Sequence, residues 1–204
     1  MMTITYPVYN GIYVNMTNRC PCSCTFCLRR QSDHIYDSAP LWLEREPTVK
    51  EVCDNIDTWG DLSRYDEIVF CGYGEPTMRL YDLLEVARYI KSKSDIKIRI
   101  NTNGLSDLIW KESTAPKLQG LIDAVSVSLN ATNEEDYLKV VRPRFGIESY
   151  DAMLKFTKEC TAYVPTVMMT VVDEVTSKEE QEICREICAS VGATLRVRAY
   201  EGKV

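Results

Sequence analysis

Histidine is almost missing from this chain, with one, His34, among 204 residues. Zinc sites generally need imidazole or a second cysteine pair at a distance, and no later CxxC is present either, so a standard zinc module lacks a fourth ligand unless Cys22 serves. Long apolar runs are also lacking: none approaches the ~20 residues that span a bilayer. The opening MMTITYPVYNGIY has no cationic start followed by an apolar core, so it does not read as a signal peptide. Positive charge is in deficit, 24 Lys and Arg against 30 Asp and Glu for a net charge of −6. That balance excludes a surface that coats nucleic acid; Arg29-Arg30 and Arg196/Arg198 are local pairs, not a basic stripe. No low-complexity linker, internal repeat or second composition block appears. The expectation is one domain over 1–204, cytoplasmic, with reduced thiols and neither nucleic acid nor membrane as partner.

Cysteine, by contrast, is plentiful. Of nine, four fall within TNRCPCSCTFCLRR, residues 17 to 30. An odd count with one tight cluster argues against a disulfide framework and for metal or redox chemistry. A ferredoxin run would need four ligands, with a distant fourth. Here Cys20-x3-Cys24-x2-Cys27 offers three thiolates on one loop, enough to bind three irons of a [4Fe–4S] cube and leave the fourth iron open.

Short Val- and Ile-rich stretches alternate with helical ones. Strands are expected at 12–17, 67–72, 96–102, 123–130, 165–172 and 194–200; several lack clean alternation, as befits strands covered on both faces. Helices are expected at 80–93, with apolar residues at Leu80, Leu83, Leu84, Ala87 and Ile90, and at 132–141, where Thr132-x-x-Glu135 reads as a capping box. Further helices are expected at 149–161 and at 177–192, between Ser177 and Gly192. The stretch 29–65 reads as mixed loop and helix. Six strands alternating with helices imply right-handed βαβ units and a parallel six-stranded sheet. An open partial barrel and a doubly wound sheet both fit this pattern; two more strands would be needed to close a (β/α)8 barrel.

CxxxCxxC after a first strand, with Phe26 before the last cysteine, resembles the radical S-adenosylmethionine (SAM) superfamily. The resemblance implies a partial (β/α)6 TIM-type barrel with outer helices. It also implies a [4Fe–4S] cluster on Cys20, Cys24 and Cys27, SAM chelated to the open iron, and reductive cleavage to a 5′-deoxyadenosyl radical that abstracts hydrogen from substrate. Cys22 falls outside that register and is expected to be a loop thiol pointing away from the cluster. FCGYGEP (70–76) lacks the third glycine of GxGxxG and resembles the family's GGE motif, placing Gly72, Tyr73, Gly74 and Glu75 at the SAM amino group, with Tyr73 where glycine is usual. INTNG (100–104) resembles the third-strand end and offers Asn101 and Asn103. SVSLNA (126–131) offers Ser128 and Asn130; hydroxyls at Ser126 and Ser128 that merely pack in the barrel interior are an equal alternative. Arg142 is a candidate for the SAM carboxylate or else an exposed helix-end arginine, and Tyr200 for the adenine. These candidates all fall at C-terminal strand ends, where open α/β folds keep their sites.

Across the whole chain the motifs resemble most the short radical SAM proteins associated with TatD-type nucleases, a likeness that brings a mechanism but no substrate. It implies a flavodoxin or ferredoxin as reductant. The chain's end soon after the sixth strand suggests an open active site suited to a peptide or protein substrate, or to a closing partner. Comparably short 7-carboxy-7-deazaguanine synthase-like and glycyl-radical-activating enzymes are alternative relatives, and an iron–sulfur carrier that does not cleave SAM is the alternative from another class. Cys53, Cys71, Cys160, Cys184 and Cys188 are expected to pack in the core, and His34 in a loop.

Overall fold

The computed structural model describes residues 2–34, 38–173 and 175–199. One seven-stranded sheet runs in chain order: β1 (Thr5–Val8), β2 (Gly11–Val14), β3 (Glu67–Phe70), β4 (Lys97–Thr102), β5 (Ala124–Ser128), β6 (Thr166–Val172) and β7 (Thr194–Arg198). From β2 onward every neighbour is parallel. The six strands expected from sequence are these. The seventh, β1, pairs antiparallel with β2. It holds Pro7, which is tolerated because β1 is an edge, where the missing N–H costs no ladder bond. Among the described residues β7 does not pair back to β1, so the barrel is partial.

The crossovers carry α1 (Val49–Asp57), α2 (Leu80–Lys91), α3 (Ser106–Trp110), α4 (Glu134–Val141), α5 (Glu148–Cys160) and α6 (Lys178–Ser190). Two begin with reciprocal caps, Thr48 with Glu51 and Ser177 with Glu180, each satisfying N-terminal donors that would otherwise lack partners. The expected box at Thr132 does not form. Asn133 caps α4 instead, its side chain accepting from the Asp136 N–H, because the helix starts one residue later.

The helices cover one face of the sheet. Ile12, Val14, Ile68, Phe70, Ile98, Ile100, Val125, Val127, Met169 and Val171 point outward into a core completed by Leu80, Leu83, Leu84, Phe156, Cys184 and Cys188. Period-two alternation then sends Tyr13, Glu67, Arg99, Asn101, Ser126, Ser128, Thr170 and Arg196 to the concave face. That face is polar. Arg99 is buried, with its guanidinium on both Glu67 oxygens at 2.9 and 2.6 Å, and on Asn101 and the Tyr13 hydroxyl.

Candidate active site

The cysteine loop follows β2 and is stitched on three sides. Against the α4–α5 connection, Ser23 N–H donates to the Val141 carbonyl at 3.0 Å, Thr25 N–H to Val140 at 2.9 Å and Arg144 N–H to Pro21 at 2.8 Å. Against the GYGE bend, Glu75 N–H donates to the Arg19 carbonyl at 2.8 Å. Arg29, just beyond the last cysteine, donates to the carbonyls of Asn18, Cys22 and Tyr73 at 3.3 to 3.4 Å, tying loop and bend to one guanidinium. In the sequence Arg29 stands only as half of the Arg29-Arg30 pair. Its five-donor fork, which can serve several carbonyls at once, was the available signal.

The glycines of the bend are needed for close approach. A Cβ on Gly74 would lie 2.2 Å from the Thr17 carbonyl oxygen and 2.7 Å from that of Arg19; one on Gly72 would lie 2.2 Å from Asn15 Oδ1. Backbone meets backbone there. Tyr73 packs its buried ring with Tyr6, Val8 and Leu41 and edge-on to Trp42, centroids 5.2 Å apart, and its hydroxyl donates to the Ser32 carbonyl at 2.6 Å. That orientation is why a large residue can stand where the family usually has glycine.

Glu75 is placed differently from expectation. Its carboxylate is buried and turned into the fold: Oε1 accepts from Thr77 N–H, Thr77 Oγ1 and Thr102 Oγ1 at 3.1, 2.7 and 2.7 Å, and Oε2 from Asn103 N–H at 2.7 Å. Burial pushes its carboxyl above the usual range against those donors. The side chain locks the ends of β3 and β4 together, so a ligand at this bend meets backbone first.

Asn103 does face the cysteines, with Nδ2 3.5 Å from Cys22 Sγ and 3.9 Å from Cys20 Sγ. Cys22 corrects an expectation. Its thiol is buried beside Cys20, not pointing away, and its backbone N–H donates to the Cys20 sulfur at 3.4 Å. The side-chain interaction of the two thiols lowers Cys20 and, with burial, raises Cys22, since it favours the thiolate on one sulfur only. Burial pushes Cys24 up to about 12. Phe26 is half-buried on the same loop. Beneath it lies Tyr137 of α4, fully buried, its hydroxyl without a partner and its pKa raised by burial and by the neighbouring cysteines. It too was missed, because at helical spacing it reads as core.

Asn130, past the end of β5, has φ 61° and is 7 % exposed, and its Oδ1 is buried without a hydrogen-bond partner. A strained, unsatisfied acceptor at a strand end suits a ligand donor. Ser128 is half-buried on the concave face, opposite Thr170. Asn101 is engaged with Arg99 and Cys71 lower in the concavity. Arg142 takes the second of its two expected places, the exposed helix end: its Nε donates to the Lys139 carbonyl at 3.3 Å, and its φ of 50° closes α4. The helix end takes it out of the site. Tyr200 lies outside the described residues.

Among the described residues no three His, Cys, Asp or Glu side chains converge as ligands of a single ion. A cube asks for something else, since its thiolates bind separate irons. Three soft sulfur donors on one loop, a bend stripped of Cβ atoms and an unpartnered Asn130 Oδ1 fit an iron–sulfur cluster with a polar organic ligand beside it.

A family model described as the Radical SAM superfamily matches residues 14–187. A Methanocaldococcus jannaschii protein named as a glycyl-radical enzyme activating enzyme is 29% identical over 181 residues, 82% of this chain and 67% of that one. A Gloeobacter violaceus protein named as the dual-specificity RNA methyltransferase RlmN is 28% identical over 92% of this chain and 52% of its own length. The crystal structure of Streptococcus suis SuiB bound to precursor peptide SuiA superposes with a TM-score of 0.67 at 18% identity, covering 94% of this chain and 39% of SuiB. The chain thus spans about two fifths to two thirds of the lengths of these proteins. No helix among the described residues is long and apolar enough to cross a membrane.

Proposed function

The chain belongs to the radical SAM superfamily, and from that premise we propose that it carries a [4Fe–4S] cluster on Cys20, Cys24 and Cys27 and cleaves SAM to act on a separate substrate. Members of the superfamily use this cluster and SAM and need a reductant. The chemistry such a pair supplies is one-electron cleavage of the sulfonium to a 5′-deoxyadenosyl radical. The observation that carries the reading is the interlock of cysteine loop, GYGE bend and β4 end, through Glu75 N–H on Arg19, Asn103 Nδ2 beside the Cys20 and Cys22 sulfurs, and Arg29.

In this reading each residue has a defined task. Cys20 is the thiolate held ready by Cys22, and Asn103 donates toward the same sulfur. The Gly72–Gly74 backbone presents polar groups to the SAM amino group, while Glu75 fixes that backbone from behind. Asn130 Oδ1 accepts from SAM, and Ser128 flanks it. Phe26 shields the loop from water. The reductant is a flavodoxin or ferredoxin. The substrate is a peptide or protein, a choice supported by the name of the Methanocaldococcus relative, an activator of another enzyme.

Anaerobic reconstitution with iron and sulfide, then dithionite and SAM, tests this by following 5′-deoxyadenosine chromatographically. Wild type and Cys22→Ala should form it, the latter with a weaker cluster, whereas Cys20→Ala, Cys24→Ala and Cys27→Ala should not. Cluster formation without SAM cleavage would instead make the chain an iron–sulfur carrier.

A further inference from the structure

Arg99 and Arg198 both belong to the concave side of the sheet, but only Arg99 is neutralised, by Glu67. On β7, Leu195 and Val197 pack against the helix-side core, so Thr194, Arg196 and Arg198 take the other face. Arg198 pairs in register with Val172, and its carbonyl accepts from Asp173 N–H at 2.7 Å, which fixes its backbone. Its Nε is buried with no hydrogen-bond partner, and no carboxylate among the described residues forms an ion pair with it or with Arg196. The nearby acids are committed elsewhere. Glu67 holds Arg99, Glu75 is enclosed by Thr77, Thr102 and Asn103, and Asp173 receives Lys178 and Gln181.

Curvature turns this face inward. Cys71, just past the end of β3, lies on the same face by alternation from Phe70; burial pushes its thiol up, and Arg198 acts in the opposite sense. Arg198 and Cys71 thus share the concave face, with Asn101 beside Cys71 and Ser126 and Thr170 on the strands between. A buried guanidinium donor without an acceptor is costly and rare in a folded protein.

We propose that Arg198, backed by Arg196, receives an anionic oxygen group of the substrate, a carboxylate or a phosphate, inside the open barrel. The guanidinium fork suits either group. In a peptide substrate this would be the C-terminal carboxylate, an acidic side chain or a phosphorylated one. Only the word substrate rests on the SAM-cleaving reading; the anion site stands on the side chains.

The reconstituted full chain can be tested with simple anions, measuring its thermal midpoint in sodium acetate, phosphate or chloride at equal ionic strength. Anything that binds the folded state alone raises the midpoint with concentration. Acetate or phosphate should raise it beyond chloride in the wild type, and the stronger of the two identifies the group. Arg198→Gln should lose that increment without lowering the midpoint in chloride, since it removes an unsatisfied charge, and Arg198→Lys should keep part of it. Equal effects of all three salts, or an increment that survives in Arg198→Gln, would overturn the proposal. Equilibrium dialysis with SAM separates the other occupant: a tenfold loss of SAM affinity in Arg198→Gln would assign the arginine to the SAM carboxylate and overturn it too. Should the Gln variant fail to fold, Arg198→Lys decides: a reduced increment supports the proposal, and an undiminished one or a tenfold loss of SAM affinity overturns it. Wild type that shows the anion increment but forms no deoxyadenosine would keep the site and sink the SAM reading alone.

Discussion

At the scale of single residues, the site is made by atoms left without partners as much as by those that have them. Asn130 combines a left-handed backbone with a buried, unpaired Oδ1, which costs stability unless a ligand donor meets it. Asn130→Ala should therefore weaken SAM binding about tenfold, or ~1.4 kcal/mol, while leaving urea unfolding of the ligand-free chain within about 1 kcal/mol of wild type. Equilibrium dialysis and denaturation measure the two sides. A large stability loss with unchanged SAM affinity would make Asn130 a structural residue only. Cys22 shows the limit of a motif: the spacing excluded it from the ligand register but did not say where its thiol would go. Its place next to Cys20 follows from the bridge that pairs Cys22 with Pro143.

At the scale of elements, the decisive contact is between two loops that follow neighbouring parallel strands. Gly74 lets the bend after β3 lie on the carbonyls of Thr17 and Arg19. In Gly74→Ala the clash is with backbone, which cannot swing aside, so the loops must part. The expected result is loss of most bound iron after reconstitution, read as iron and sulfide per chain. Gly60→Ala is the comparison: Gly60 has φ 70° but open space around it, so strain is local and iron content should be unchanged. Equal iron in both variants would remove the docking role assigned here. The helices illustrate a different rule. Their apolar spacing was readable in α2 and α6, whereas the start of α4 was displaced by one residue because Asn133, an equally good cap, was available beside Thr132.

At the scale of the whole molecule, a sheet with one apolar and one polar face has been curved so that its polar face becomes an interior. Such an interior must be satisfied from within, and the Glu67–Arg99–Tyr13–Asn101 network does this at its base. Arg99→Met should destabilise the fold by about 2–3 kcal/mol, less than the 3–5 typical of a fully buried pair, because Glu67 keeps some contact with solvent. Arg99→Met with Glu67→Leu should recover much of that. Chemical denaturation of the two variants measures both values, and a double variant no better than the single would mean the network's role is not charge pairing.

The sequence by itself determined the three-cysteine loop, the six parallel strands and the placing of polar residues at their ends, because ligand spacing and hydrophobic periodicity are local properties of a chain. Only the tertiary structure decided that Glu75 faces inward, that Arg142 faces solvent, that β1 adds an antiparallel edge, that Arg29 ties the cysteine loop to the bend, and that Arg198 Nε is buried without a partner. Those outcomes depend on which residues distant in sequence compete for the same donor, and on how far the sheet curves. Neither is written in any one stretch of the chain.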